Sequence, residues 1–285
     1  MDDNGFSFNI AVVGLGLIGG SYAKALRELK PKKLYGIDLN ESSLLKAKKM
    51  GIIDEGFTDG SVILKEADLV IIALYPEDTV KFIKDNVCNF KDGAVITDTC
   101  GVKQMIVEEA LSFLPETVEF VGAHPMAGKE SQGFDTASKD LFKNSNYIIT
   151  PHKENSEKSI NLIEKMAKAI GCKSVVRVDI EEHDNIISYT SQLPHVIAVA
   201  LMDSDICKDA IDLFIGGSFR DATRVAAINE KLWTQLFSLN SDRLVYEIEK
   251  FQEALNKIKR AIKSQDKSDL EDIFKDAAQR KRMML

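Results

Sequence analysis

The feature that most constrains the fold is a glycine-rich turn directly after an apolar run near the N-terminus. In NIAVVGLGLIGGS the run leads into Gly14-x-Gly16-x-x-Gly19, and good helix formers follow. A second apolar run comes next and ends in Asp38. A glycine-rich turn alone can be a simple tight connection beside an unrelated surface Asp. The order found here predicts a dinucleotide-binding unit: a strand, this turn, a helix, a second strand and then an acidic residue.

Each part of this unit has a physical role in holding a dinucleotide. Gly14 permits the tight turn, Gly16 lets the backbone approach a pyrophosphate, and Gly19 lets the helix pack close to the strand. The N-terminus of the helix supplies N–H groups and the positive end of its dipole. Asp38 can accept hydrogen bonds from ribose hydroxyls and would repel a 2′-phosphate, which favours NAD over NADP. The residues predicted to contact the cofactor are Gly14, Leu15, Gly16, Leu17, Ile18, Gly19, Asp38, Tyr75 and Asp98.

Strand and helix patterns alternate over the first part of the chain and then give way to helix. β-branched runs predict strands at 8–14, 33–38, 67–74, 93–98, 118–123, 146–150 and 173–178. Beyond residue 178 nearly all of the sequence has helical patterns, with Pro194 expected to kink or split one long helix. We predict an α/β fold in which a Rossmann-type doubly wound parallel sheet (1–178) is followed by an all-helical C-terminal domain (179–285).

The helical part ends in two further patterns. Apolar residues recur at alternating spacings of four and three between residues 244 and 262, which predicts a long helix packed against a partner surface. Periodicity leaves open whether that surface belongs to the same chain or to a second subunit. Ser268-x-x-Glu271 has the pattern of a capping box and predicts the start of a final helix.

Composition narrows the classes of partner. The 285 residues carry 37 Lys and Arg against 44 Asp and Glu, so a positive field that would attract nucleic acid is not expected. An anionic ligand would therefore need locally placed arginines. No apolar run approaches the roughly 18–20 residues of a membrane span, and the acidic start does not resemble a signal peptide. The four cysteines form no C-x-x-C pair. We predict a cytoplasmic protein with no metal, membrane or nucleic-acid partner.

Candidate reactive residues follow the predicted strands. Ligands of doubly wound sheets bind at the carboxyl ends of the strands. Three segments each follow a predicted strand and would together form one wall of a cleft. They are Tyr75, residues 98–103 and residues 122–130. His124 is the best candidate for acid–base work, because imidazole titrates near neutral pH and this residue leaves a strand end. The alternative is a histidine that merely stabilises a turn.

The helical part offers a second wall. One helical face carries a polar stripe that suits a cleft, although a solvated face is the alternative and is the interpretation we prefer for His183. After a glycine pair, Arg220 and Arg224 form a fork able to bind carboxylates, or else form surface salt bridges with neighbouring acids. The members of the stripe are Asp184, Ser188, Ser191 and His195.

Taken together, the motifs resemble those of the prephenate dehydrogenase family. The resemblance covers most of the chain and rests on GLGLIGGS (14–21), DTCGVK (98–103), GAHPMAGKE (122–130), HDNIISYTSQLPH (183–195) and GGSFRDATR (216–224). It implies an NAD-dependent enzyme that converts prephenate to 4-hydroxyphenylpyruvate and carbon dioxide, and a homodimer formed through the helical domains. Neutral His124 would accept the ring hydroxyl proton as hydride leaves the same carbon.

The resemblance also assigns roles by position. His124 matches the catalytic histidine, and Glu130 matches an acid that shapes substrate access. His195 and Ser191 match the cleft face of the helical domain. Arg224 matches the arginine that binds a substrate carboxylate, and Arg220 is a weaker basic match.

Two departures and three alternatives remain open at this point. Gly101 replaces a serine that orients the catalytic histidine in many members, and Gln192 replaces a histidine. The partner of His124 is then Ser191, a backbone carbonyl or water. Arogenate or dual specificity is the nearest alternative function, and a β-hydroxyacid dehydrogenase is a more distant one. A catalytically silent NAD sensor or scaffold is the alternative outside the enzymes.

Overall fold

The computed structural model describes residues 6–129, 131–204 and 211–284. Within them one eight-stranded sheet has the order β3-β2-β1-β4-β5-β6-β7-β8. The fold class predicted from the sequence is confirmed: helices cover this sheet, and a helical C-terminal part follows it. The strands are β1 (Asn9–Val13), β2 (Lys33–Ile37), β3 (Glu55–Phe57), β4 (Leu69–Ile72), β5 (Val95–Asp98), β6 (Glu119–Pro125), β7 (Asn146–Thr150) and β8 (Ser174–Arg177).

The sheet is buried on both faces. In β1, Ile10 and Val12 face one apolar core, whereas Ala11 and Val13 face the other. This explains why the central strands are continuous apolar runs rather than alternating ones. The covering helices are α1 (Leu17–Arg27), α2 (Glu41–Lys49), α3 (Pro76–Asp85), α4 (Gln104–Phe113) and α5 (Glu157–Ala169).

Two details of the sheet differ from the sequence prediction. β3 was not predicted, because its three residues are too few to give a period. The sheet is also not wholly parallel, since β7 pairs antiparallel to β6. The described part of the β6–β7 connection contains a short 3₁₀ turn, Phe134–Thr136, in place of the helix that a parallel crossover uses.

Helices make up the rest of the described chain. The helix expected to break near Pro194 is interrupted by a π-helical turn, Ser188–Gln192, because proline cannot donate the next backbone hydrogen bond. Asp266, and not Ser268, caps the last helix by accepting from the Asp269 amide. No helix in the described ranges is long and apolar enough to span a membrane. The helices are α6 (Ile180–Ile187), α7 (Leu193–Asp203), α8 (Gly217–Thr223), α9 (Glu230–Leu239), α10 (Ser241–Ser264) and α11 (Lys267–Met283).

Candidate active site

A cavity of about 610 Å³ lies where the carboxyl ends of β1, β4, β5 and β6 face the helical part. Residues 16–18, 73–76, 99–101 and 124–129 line it from the sheet side. The opposite wall comes from the π-helical turn, the start of α7 and the residues around α9. This is the position expected for a ligand of a doubly wound sheet. Its size is that of a small-molecule site.

The glycine-rich turn is shaped for close backbone approach. Gly14 has φ +82°, and a Cβ there would lie 2.5 Å from the carbonyl oxygen of Ala73. A Cβ at Gly19 would lie 1.8 Å from the Gly14 carbonyl oxygen. At Gly16, by contrast, a Cβ would meet no atom within 4 Å. The first helical turn of α1 has no side-chain cap at Gly16, so its amides can bind an anion there.

All the predicted cofactor residues except Asp98 line the cavity or lie at the glycine-rich turn. Gly16, Leu17, Ile18 and Tyr75 line the cavity. Gly14, Leu15 and Gly19 shape the turn, and the Leu15 amide donates to Asp38 Oδ2 at 2.6 Å. The Asn40 amide donates to Asp38 Oδ1 at 2.7 Å, which fixes this carboxylate beside the turn.

Asp98 is the exception, because its carboxylate points into the protein. It is fully buried, pairs with the Lys103 ammonium and accepts from the Cys100 and Ala123 amides. Lys103 Nζ also donates to the Ala123 carbonyl at 2.6 Å. We therefore correct the assignment of Asp98: it braces the ends of β5 and β6 and does not face the cavity. Burial raises the pKa of the neighbouring Cys100 thiol to about 12, so this cysteine is no nucleophile.

His124 belongs to a chain of three polar side chains. Its Nδ1 lies 3.0 Å from His183 Nε2, and His183 Nδ1 lies 2.7 Å from Asp184 Oδ1. The backbone amides of Lys103 and Gln104, at the N-terminus of α4, donate to the two Asp184 oxygens at 2.9 Å each. The interpretation of His183 as a solvated residue was wrong, since it is only 1% exposed. The sequence does contain a signal for this burial: His183 lies at helical spacing, i, i+3, i+7, between the apolar residues Ile180 and Ile187.

Burial sets the protonation of this chain. It lowers the pKa of His124 well below its ordinary value, and the nearby His183 and Lys103 lower it further. Burial lowers the pKa of His183 too, against the hydrogen bond to Asp184, which raises it. For Asp184 burial alone would raise the pKa, but hydrogen bonds from His183 and from two amides leave it below its usual range. At neutral pH both imidazoles are neutral and Asp184 is charged.

His195 and Ser191 lie on the helical wall of the cavity, as predicted. His195 Nδ1 lies 2.8 Å from the Ser191 carbonyl oxygen. The His195 ring stacks on Trp233, with centroids 3.6 Å apart and planes at 28°. Trp233 was missed by the sequence analysis, because α9 carries no motif that marks it. Both stacked residues line the cavity, so the pair forms part of its helical wall.

The comparisons with known proteins agree over nearly the whole chain. Residues 22–176 match the family model "Prephenate dehydrogenase, nucleotide-binding domain", and residues 179–276 match "Prephenate dehydrogenase, dimerization domain". The chain is 32% identical to the prephenate dehydrogenase of Bacillus subtilis over 274 residues, which cover 94% of this chain and 74% of that protein.

The chain belongs to the prephenate dehydrogenase family.

Three other proteins that the chain resembles carry the same or a neighbouring activity in their names. A cyclohexadienyl dehydrogenase of Zymomonas mobilis is 32% identical, over 94% of this chain and 93% of that one. Prephenate dehydrogenase from A. aeolicus, solved with hydroxyphenyl propionate and NAD+, superposes with a TM-score of 0.88 at 31% identity and covers 98% of both chains. Synechocystis arogenate dehydrogenase superposes with a TM-score of 0.83 at 25% identity, and the match covers 97% of this chain and 100% of that chain.

Within this family the two departures of the sequence have structural explanations. A Cβ at Gly101 would lie 3.7 Å from His124 Nε2, so Gly101 leaves space on the cavity side of the imidazole. Gln192 is buried: it donates to the Leu236 carbonyl and accepts from the Asn240 amide group. Gln192 therefore joins the π-helical turn to α9 and α10.

The two predicted substrate arginines lie outside the cavity lining. Arg220 in α8 and Arg224 in the following 3₁₀ turn are exposed, and within the described part of the chain neither lines the cavity. Because α8 ends at Thr223, the two arginines do not share one continuous α-helical face. Val225, directly after Arg224, does line the cavity. Glu130 lies outside the described residues.

Proposed function

We propose that the protein catalyses the NAD-dependent oxidative decarboxylation of prephenate to 4-hydroxyphenylpyruvate. The observation that carries this proposal is the presence of a neutral His124 and the open Gly16 turn in one cavity. His124 lies where β6 ends, and the uncapped N-terminus of α1 lies at the same edge of the sheet, the one formed by the carboxyl ends of the parallel strands. NAD is the cofactor, since Gly16 leaves room for its pyrophosphate and Asp38 lies where a ribose would bind.

His124 carries the proton chemistry in this scheme. When bound, NAD would supply the acceptor for the hydride that leaves the ring carbon bearing the hydroxyl group. Neutral His124 accepts the hydroxyl proton and returns it to the phenol oxygen after the bond between the ring and its carboxylate breaks. The overall reaction then releases carbon dioxide and no proton. Formation of the aromatic ring supplies the driving force, so the protein mainly orients the substrate and handles one proton.

Substrate anions need a counter-charge, because the protein carries a formal net charge of −7. We assign that role to Arg224, with Arg220 as a further cation on the same segment. Arg224 adjoins the cavity-lining Val225, which supports this assignment. His195 and Ser191 complete the helical wall. Glu130 stays a predicted contributor to substrate access.

Arogenate is the second candidate substrate, because relatives named cyclohexadienyl and arogenate dehydrogenase match nearly the whole chain. The purified protein with NAD should form NADH faster from prephenate than from arogenate, and chromatography should identify 4-hydroxyphenylpyruvate as the product. Faster reduction with arogenate would reverse the preference. Absence of NADH with either substrate would favour a silent NAD-binding protein.

We also propose a homodimer formed through the helical domain. Three apolar side chains in the periodic part of α10 are exposed in the single chain: Phe251 (37%), Leu255 (53%) and Ile262 (60%). A second copy would cover them, in keeping with the dimerization-domain match. Sedimentation should give a dimer for the natural sequence and a monomer for Leu255→Glu. A monomeric natural sequence would overturn this.

The domain division at residue 178 and the cytoplasmic location stay predictions. β8 ends at Arg177 and α6 begins at Ile180, which supports the division. Cys88, Cys100 and Cys172 are free thiols, as is usual in a reducing compartment.

A further inference from the structure

We infer that His183 and Asp184 are positioning residues that hold His124 in its Nδ1–H tautomer, with the Nε2 lone pair directed at the cavity. Their role in turnover rests on the function proposed above. The tautomer itself does not, and it can be measured without any substrate.

Asp184 is held in its carboxylate form. Its two oxygens accept the amide hydrogens of Lys103 and Gln104, which are donors at the N-terminus of α4. The helix dipole and these two hydrogen bonds favour the carboxylate form. A carboxylate can only accept hydrogen bonds. His183 Nδ1, 2.7 Å from Asp184 Oδ1, must therefore carry the hydrogen in this contact.

The tautomer of His183 in turn fixes the tautomer of His124. A neutral imidazole protonated at Nδ1 has a lone pair at Nε2. His183 Nε2 is thus the acceptor in the 3.0 Å contact, and His124 Nδ1 is the donor. The lone pair of His124 then lies on Nε2. This is the nitrogen that faces Gly101, whose Cβ position would be 3.7 Å away and which lines the cavity.

The chain of contacts also explains how Gly101 is tolerated. Orientation of His124 comes from His183 on its Nδ1 side, so no side chain is required on its Nε2 side. The contact joins β6 to α6, and the Asp184 contacts join α6 to α4. The base is therefore assembled only when the sheet and the helical part are packed together.

Nitrogen-15 NMR of the full-length protein tests the tautomers directly. The chain has four histidines, so selectively labelled imidazole signals can be assigned by single substitutions. At neutral pH the two-bond ring correlations of both His124 and His183 should have the Nδ1–H pattern. An Nε2–H pattern for His124 would overturn the inference even if the protein oxidises prephenate. If it oxidises neither substrate, the proposed function fails and the spectrum still decides the tautomer.

Substitutions at His183 test the positioning role. His183→Leu removes the acceptor, so His124 should change to the Nε2–H pattern and kcat should fall about 10²-fold, with KM for prephenate within about twofold. His183→Gln offers a carbonyl acceptor and should recover part of kcat. His152→Leu is the matched control, because His152 is half-buried and hydrogen-bonded but lies outside the cavity. Equal kcat values for the Leu and Gln variants, or an unchanged His124 pattern in His183→Leu, would contradict the role. If His183→Leu does not fold, the spectrum of the natural protein still decides which tautomer His124 adopts.

Discussion

The proposed base and the proposed anion-binding segment of this site differ in how the chain surrounds them. His183 and Asp184, behind His124, are 1% and 2% exposed. The segment 217–226, which carries Arg220 and Arg224, has no buried residue. Contacts within the chain thus set the charge state of His124, whereas the two arginines are exposed to solvent. Interactions at the buried end should govern kcat, and those of the exposed arginines should govern substrate affinity.

The largest expected effect comes from removing the base. His124→Asn keeps a polar side chain of similar reach but cannot accept the proton, so kcat should fall by about 10²-fold or more. Binding of NAD should stay nearly unchanged, because the proposed contacts with its pyrophosphate and ribose come from the glycine-rich turn and Asp38, and not from His124. Steady-state kinetics and calorimetric titration with NAD measure the two quantities. Turnover close to that of the natural protein would show that the buried end does not govern kcat.

For the exposed arginines the expected effect is smaller and of another kind. Arg224→Ala removes a charge-assisted contact and should raise KM for prephenate about tenfold or more, with KM for NAD unchanged. Added salt should raise KM for prephenate in the natural protein, since exposed charges are screened. Equal changes in the two KM values would mean that Arg224 is structural.

The two regions also differ in how far their sequence reveals them. The glycine-rich turn and His124 are recognisable because short motifs encode their local geometry. The contact between Asp184 and the Lys103 amide joins residues 81 apart in the sequence, and no local pattern reports that the start of α4 lacks a cap of its own. Asp98 was misassigned for the same reason, since only its buried pairing with Lys103 turns it inward.

A still smaller effect concerns folding. Because burial lowers the pKa values of His124 and His183, the unfolded chain binds more protons than the folded one below about pH 6.5. The free energy of unfolding should therefore fall as pH drops from 6.5 toward 5, by up to about 1.4 kcal/mol per pH unit for each histidine. Urea unfolding over this range measures the slope. His124→Asn should make it shallower, and an unchanged slope would mean that the imidazole is not buried in its neutral form.

The pH profile of kcat/KM for prephenate, measured with saturating NAD, tests the central claim most directly. A half-buried, neutral His124 that accepts a proton should stay active below pH 6.5, the ordinary pKa of histidine, and lose activity only at lower pH. The profile should be flat from pH 6.5 to 8. An acidic limb centred above pH 6.5 would contradict the account, because it would mean that the base is held in a charged, solvated setting.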